Sequence, residues 1–341
     1  MYTFLAVTAR PAYSCAFPPS PNIVEHARVA QELGYKRIWV FDSPALYTDV
    51  WVALARIAEK TDRIGFGTGV AIPSMRHPVV TASAIATIEE ISPGRLVAAF
   101  GTGYTGRLTM GQKPMKWADL ALYVRQLRAL LAGETVEIEG GACQLMYSPG
   151  FGPDRPITTP VWVAPSGPKG FATAQELGVP GVLVPAGMAT PEQLAPWEEA
   201  VALMFGTVVR PGEDHTSRRL IEAAGPTYTS SFHNIIEFAP DALDNLPGGK
   251  EWREGIYAER PEGERHLVIH EGHLCYVTDR DRPLVEAAGE AIVSSGWTGD
   301  APSIAARFDE MGAAGFTEVL YGAAGPDIAG ELEAFAAAAT S

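Results

Sequence analysis

Short runs that are apolar almost throughout alternate along this chain with longer segments in which apolar residues recur every three or four positions. The short runs are Phe4–Thr8, Lys36–Phe41, Arg63–Ile72, Leu96–Phe100, Pro160–Ala164, Gly181–Val184, Val201–Val209 and Thr317–Tyr321. Strands buried on both faces have this character, whereas one-sided strands alternate. The longer segments predict helices at Ile23–Leu33, Asp49–Lys60, Pro78–Ile91, Trp117–Leu131, Phe171–Leu177, from Pro191, and at Ile328–Ala339. Two of them stop at a natural C-terminal glycine, Gly34 and Gly133. Val136–Glu139 and Cys143–Tyr147 flank Gly140-Gly141 and predict a hairpin. A polar, helix-rich stretch over about 212–270 follows the seventh strand. Eight buried strands alternating with helices specify an α/β fold, the (β/α)8 TIM barrel, with a helical insertion after the seventh strand. No linker or break in composition divides 1–341, so one domain is expected.

Composition narrows the function classes. Hydrophobic residues make up 47% and charged residues 19%, a globular balance. A formal net charge of −14 argues against a nucleic-acid partner, because phosphate backbones are bound through basic patches. Cys15, Cys143 and Cys275 are odd in number and far apart, which indicates neither a disulfide framework nor a zinc site and suits a reducing cytoplasm. The apolar N-terminal run is too short for a signal segment, and nowhere do apolar residues continue long enough for a membrane span.

In a parallel barrel the chemistry sits where strands end. Here those ends carry Asp42-Ser43, Gly67-Thr68-Gly69-Val70, Gly101-Thr102-Gly103-Tyr104, Ser166-Gly167-Pro168-Lys169 and Pro185-Ala186-Gly187. Glycines there would let a flat ligand approach the backbone. Gly101–Gly106 matches GxGxxG, but a nicotinamide fingerprint requires a helix opening at that turn, and the amphipathic helix begins only at Trp117. Ser166–Gly170 precedes a helix and reads equally as a phosphate-binding turn or an ordinary βα loop. Tyr104, His77 and Asp42 are the candidate proton donors or acceptors, with His77 alternatively bonding only local backbone. Arg76 reads either as an anchor for an anionic substrate group or as a salt-bridge partner. The segment RHLVIHEGH, with His266, His270 and His273, lacks the HExxH spacing, and Gly272, Val268 and Ile269 argue against a helix there, so no metal is expected. Instead the segment is expected to lid the mouth, with His270 and, from the insertion, His233 as possible substrate contacts; packing is the alternative for His233 and Trp252.

The stretches IWVFDSPALYTDVW at 38–51, TDRIGFGTGVAIPSMRHPVVTA at 61–82, ISPGRLVAAFGTGYTGR at 91–107, VWVAPSGPKGFATAQELG at 161–178 and AAGFTEVLYGAAGPDIAGELEAF at 313–335 resemble the luciferase-like monooxygenase superfamily, its methylenetetrahydromethanopterin-reductase-like branch above all. The resemblance covers most of the chain and leaves 212–270 least explained. It implies an oxidoreductase transferring a hydride between a small organic substrate and coenzyme F-420, a deazaflavin, or FMN, with coenzyme F-420 taken first. It also implies a non-proline cis peptide at Gly69-Val70 supporting one ring face. Asp42, Thr102 and Gly103 would lie near the ring, Ser166, Gly167, Pro168, Pro185, Ala186 and Gly187 near the phosphate arm, and Ser43 and Tyr104 towards substrate. The deazaflavin-dependent sugar-phosphate dehydrogenases of that family have His and Glu where this chain has Ser43 and Tyr104, so oxidation of a sugar phosphate by their mechanism is not expected. The resemblance further implies a homodimer and, with FMN, a monooxygenase needing a flavin reductase as partner. A non-catalytic flavin-binding barrel and a nicotinamide dehydrogenase on a doubly wound sheet are the alternatives from other classes.

Overall fold

A computed structural model describes residues 10–341. Its first barrel strand is β1 (Ala12–Phe17), so the strand expected at Phe4–Thr8 lies outside the described residues and the barrel starts later in the sequence. There follow α1 (Ile23–Glu32), β2 (Arg37–Val40), α2 (Val50–Lys60), β3 (Gly65–Thr68), α3 (Pro78–Ile91) and β4 (Leu96–Phe100). A short α4 (Tyr104–Leu108), α5 (Trp117–Ala132) and the hairpin β5 (Val136–Ile138) and β6 (Gly141–Cys143) come next. The hairpin turn is Glu139-Gly140, both at positive φ (52° and 80°), one residue earlier than Gly140-Gly141, because a tight two-residue turn needs left-handed backbone at both positions. The chain then runs through β7 (Val161–Val163), α6 (Gly167–Leu177), β8 (Gly181–Pro185), α7 (Pro191–Leu194) and β9 (Glu199–Phe205). After the insertion with α8 (Arg218–Phe238), α9 (Gly249–Glu259), α10 (His266–Ile269) and α11 (Arg282–Ala287), it closes with α12 (Ala301–Ala313), β10 (Glu318–Gly322) and α13 (Ile328–Thr340).

Eight of these strands pair in parallel as a closed barrel, β1-β10-β9-β8-β7-β4-β3-β2, with Ala12 opposite Glu318 across the closing seam. This is the (β/α)8 barrel. Its interior holds Ala16, Trp39, Val97, Ala99, Trp162, Leu183, Val201 and Leu320, a core separate from the layer between strands and helices. Trp39 and Trp162 meet there with ring centroids 5.6 Å apart. Glycine makes room for them: a Cβ added at Gly67 would lie 2.9 Å from Trp39, and one at Gly181 would lie 2.4 Å from Trp162. Gly67 therefore serves core packing rather than ligand approach.

At the N-terminal end of the strands a charged network closes the barrel floor. Glu318 is fully buried and accepts from Arg37 Nη1 at 2.7 Å and Trp39 Nε1 at 3.0 Å, with Lys36 Nζ at 3.3 Å. Arg37 and Lys36 also reach Glu199, at 2.6 and 2.8 Å. The Ser92-Pro93-Gly94-Arg95 motif is structural as well. Arg95 donates to Ser92 Oγ, Thr61 Oγ1 and the carbonyls of Ala58, Thr61 and Ile64, tying off the C-terminus of α2. A surface groove surrounds this arginine, at the end away from the strand C-termini.

The insertion has its own apolar centre, in which Phe232, Ile236, Leu243, Trp252, Ile256 and Leu284 pack together. It continues beyond the expected end at 270, because Leu220 and Ala224 of α8 pack on Val277, Val285 and Ile292, and a Val208–Gly299 bridge seals its base. A buried carboxylate fastens it to the barrel: Glu331 of α13 accepts from Thr207 Oγ1 and Arg219 Nη1, each at 2.5 Å, and from the Tyr321 hydroxyl at 3.2 Å. Among the described residues no helix is long and apolar enough to cross a membrane.

Candidate active site at the barrel mouth

The C-terminal ends of the strands carry a partly exposed apolar floor. Phe41, Val70, Ala164 and Leu203 cap the interior core, and Phe41 stands 6.2 Å from the Phe205 ring. The Gly69-Val70 peptide is cis, as the resemblance implied. Val70 is seated by Gly101, where an added Cβ would come 2.7 Å from Val70 Cγ2. The backbone around Val70 is pinned at both sides: Gly69 N–H donates to Val40 O at 2.8 Å, and Ala71 N–H to Ala99 O at 2.8 Å. A flat apolar platform held by backbone bonds suits a planar ring. Gly101→Val should therefore displace Val70 and weaken flavin or deazaflavin binding at least about 10-fold, roughly one ordinary overpacking penalty. Fluorescence titration, with circular dichroism to verify the fold, measures it; unchanged affinity would remove Val70 from the ring site.

Asp42, just past β2, is buried and accepts from Ile72 N–H at 3.0 Å, while Arg76 stands 3.9 Å away. Burial raises its carboxyl above the usual range, and the Ile72 N–H and Arg76 hold it back. Its first visible work is to pin the 69–72 segment to the end of β2. Ser43 is buried beside it, against Gly106. Arg76 is paired with Asp49 as well as lying near Asp42, so its salt-bridge role is realised here. His77 is the N-cap of α3, its Nδ1 accepting from Val79 N–H at 3.3 Å, which leaves only Nε2 for other work.

Gly103, at φ 81°, opens α4, and its missing Cβ would meet Ile72 Cγ2 at 2.6 Å. A helix thus does start at the GxGxxG turn, contrary to the expectation that the first one begins at Trp117. It is one turn long on a barrel strand, and local periodicity could not register five residues. Thr102 is half-buried there, its carbonyl accepting from Met115 N–H. Tyr104 begins α4, stays 37% exposed, and stacks on Phe238 of the insertion at 5.6 Å and 24°. Burial first and Glu237 second push its hydroxyl up to about 12, so it remains protonated in ordinary buffers. On the adjoining stretch of rim, past β7, which pairs with β4, Ser166, Gly167 and Pro168 are exposed at the N-terminus of α6, with the Ser166 side chain making no cap bond. Pro185 and Gly187 are exposed after β8, and Ala186 is half-buried.

His233 and His270 do not line an open face. Both are buried within the insertion against His273, and Trp252, stacked on His233, donates to Asp281 at 2.7 Å. His273, missed as a site residue in the sequence, is pushed down to about 3 by burial and by His270; burial also lowers His233. Spacing within RHLVIHEGH carries no sign of this cluster, because His233 comes from α8, forty residues before His273. Residues 266–269 also form a single helical turn despite their β-branched pair.

Comparison with known proteins places this geometry. The luciferase-like monooxygenase family model matches residues 2–218. An F420-dependent glucose-6-phosphate dehydrogenase of Kineococcus radiotolerans is 27% identical over 335 residues, 93% of this chain and 91% of that protein. A 5,10-methylenetetrahydromethanopterin reductase of Methanolobus tindarius is 29% identical over 177 residues; the match spans only half of each, 49% of this chain and 50% of the relative. Among solved structures, the coenzyme F420 dependent tetrahydromethanopterin reductase of Methanopyrus kandleri superposes with a TM-score of 0.62 at 20% identity, covering 96% and 98% of the two chains. The oxygenating constituent of a 3,6-diketocamphane monooxygenase of Pseudomonas putida, in complex with FMN, gives 0.57 at 11% identity over 96% and 97%. At such identities these two superpositions establish the fold alone.

Proposed function

We propose, from the premise that the chain belongs to the luciferase-like monooxygenase family, that it is a flavin- or deazaflavin-dependent oxidoreductase using coenzyme F-420, with FMN the alternative, to move a hydride to or from a small organic substrate at the barrel mouth. The observation that carries this reading is the apolar platform of Phe41, Val70, Ala164 and Leu203 at the strand ends, where the barrel core is left partly exposed. Its curated relatives include F420-dependent dehydrogenases, which favours the deazaflavin.

The residues fit the group. Val70 and its neighbours would support one ring face, and the open N-terminus of α6 at Ser166–Pro168, with the Pro185–Gly187 turn, would receive the phosphate-bearing arm. When bound, the cofactor supplies the two-electron hydride chemistry. The chain's own part is to orient substrate against that ring, to exclude water beneath the insertion, and to hold a proton at the Tyr104 hydroxyl, which its raised value keeps as a donor. Asp42 keeps the 69–72 backbone in place. Ser43 and Tyr104, where the family's sugar-phosphate dehydrogenases have His and Glu, favour a substrate other than a sugar phosphate.

Titration of the purified protein with coenzyme F-420, FMN and FAD, each oxidised and reduced, tests this through tryptophan fluorescence. Binding of coenzyme F-420 in preference to the flavins is the expected result. Selective binding of reduced FMN would turn the reading to a monooxygenase served by a separate reductase, and no binding below about 100 μM would overturn both.

A further inference from the structure

Three imidazoles from two separate parts of the insertion meet in its interior. His233 projects from the C-terminal part of α8, His270 caps the C-terminus of α10, and His273 lies in the turn that follows. Their ring centroids form a nearly equilateral triangle, with separations of 5.2, 5.4 and 5.4 Å. One nitrogen from each ring lies within 4.8 Å of the other two, and His233 Nδ1 is 2.9 Å from His273 Nδ1. All three side chains are buried, at 0%, 1% and 8% exposure.

A neutral imidazole offers one N–H and one lone pair, so a closed hydrogen-bonded trio needs partners for six nitrogens. Here two find none: His233 Nε2 and His270 Nδ1 are buried without a partner. Each such group is destabilising when nothing satisfies it. The outward side of the cluster is better supplied. His270 Nε2 faces Glu237 Oε1 at 3.3 Å, and His273 Nε2 is 3.5 Å from Thr105 Oγ1. A carboxylate on one ring nitrogen fixes the tautomer so that the lone pair sits on the other, which for His270 is the unpartnered Nδ1. That is the support metal-bound histidines ordinarily have.

We propose that His233, His270 and His273 form a binding site for a first-row divalent cation of the zinc type. Three imidazoles without carboxylate or thiolate ligands select such ions over magnesium or calcium. Tetrahedral bonds of about 2.0–2.1 Å place ligand nitrogens roughly 3.3 Å apart, so the cluster closes on an ion by side-chain adjustment of an ångström or so. A fourth position stays open for water. The site lies where the insertion meets the mouth: Thr105 follows Tyr104, and Tyr47 donates to the His273 carbonyl at 2.6 Å. A bound ion would clasp α8 to the 270–273 turn and so hold the roof over the strand ends. Nothing in this proposal depends on which redox cofactor the barrel takes.

The test uses the full, tag-free chain, stripped with chelator and then titrated with Co2+ and Zn2+. The expected result is one Co2+ per chain retained through desalting, with the visible spectrum of a low-coordinate, nitrogen-ligated ion, displaced by Zn2+. His270→Gln should bind about 100-fold more weakly, and Glu237→Gln, which leaves all three rings in place, about 10-fold or more. The wild type should also melt at higher temperature with Zn2+, and His270→Gln should not. Failure of the wild type to retain cobalt overturns the site whether or not the variants fold. Equal retention by wild type and both variants overturns it too, leaving a buried imidazole trio without an ion.

Discussion

Tyr104→Phe is expected to lower kcat by about 10²–10⁴-fold while leaving cofactor affinity and thermal stability nearly unchanged. The ring stacks on Phe238 through its faces, a contact that phenylalanine keeps, so only the hydroxyl is removed. Because burial and Glu237 push that hydroxyl up to about 12, it does not titrate in the neutral range. The deficit of the variant should therefore be uniform from mildly acidic to mildly alkaline pH, narrowing only where the wild-type hydroxyl begins to ionise. Steady-state kinetics across pH with whichever cofactor binds is the measurement. A variant with wild-type kcat would return Tyr104 to a packing role between barrel and insertion. A loss confined to one side of neutrality would assign the proton to another group.

Glu318→Ala should cost about 3–5 kcal/mol of folding stability, because it leaves buried charge behind rather than removing a pair. Arg37 would retain Glu199 at 2.6 Å but lose its buried partner, and the Trp39 indole N–H would lose its acceptor inside the barrel. Glu318→Gln, which keeps an acceptor for Trp39, should lose less. Urea unfolding of the three proteins orders them wild type, Gln, Ala. Conserved function in the stable fraction is part of the same expectation, since the network lies at the strand N-termini, opposite the mouth. Equal stability of Ala and wild type would show that solvent and Glu199 satisfy Arg37 unaided.

The fold was legible to a degree that follows from its physics. Pro78–Ile91 and Leu96–Phe100 were readable to the residue because proline, a Ser-Pro-Gly turn and unbroken apolarity punctuate them locally. That Ala12–Phe17 is a barrel strand is not marked by local apolarity, since Tyr13 and Ser14 interrupt it, and follows from its pairing with β2 and β10. Short α4 escaped notice for want of a period to detect. That Arg76 pairs with Asp49 and lies near Asp42 is a contact between separate segments that spacing does not encode.

By itself, then, the sequence determined what local patterns encode: the number of strands, their alternation with helices, the glycine-rich strand ends, and the order in which they reach the mouth. Tertiary structure decided everything that depends on which side chains meet across distance. It turned Gly67 into space for Trp39, bound the insertion to the barrel through Glu331 and Arg219, and gathered His233, His270 and His273 into one buried cluster. Periodicity reports the face a residue presents, but not the partner waiting there, because forty intervening residues leave no trace in spacing of the contact they close.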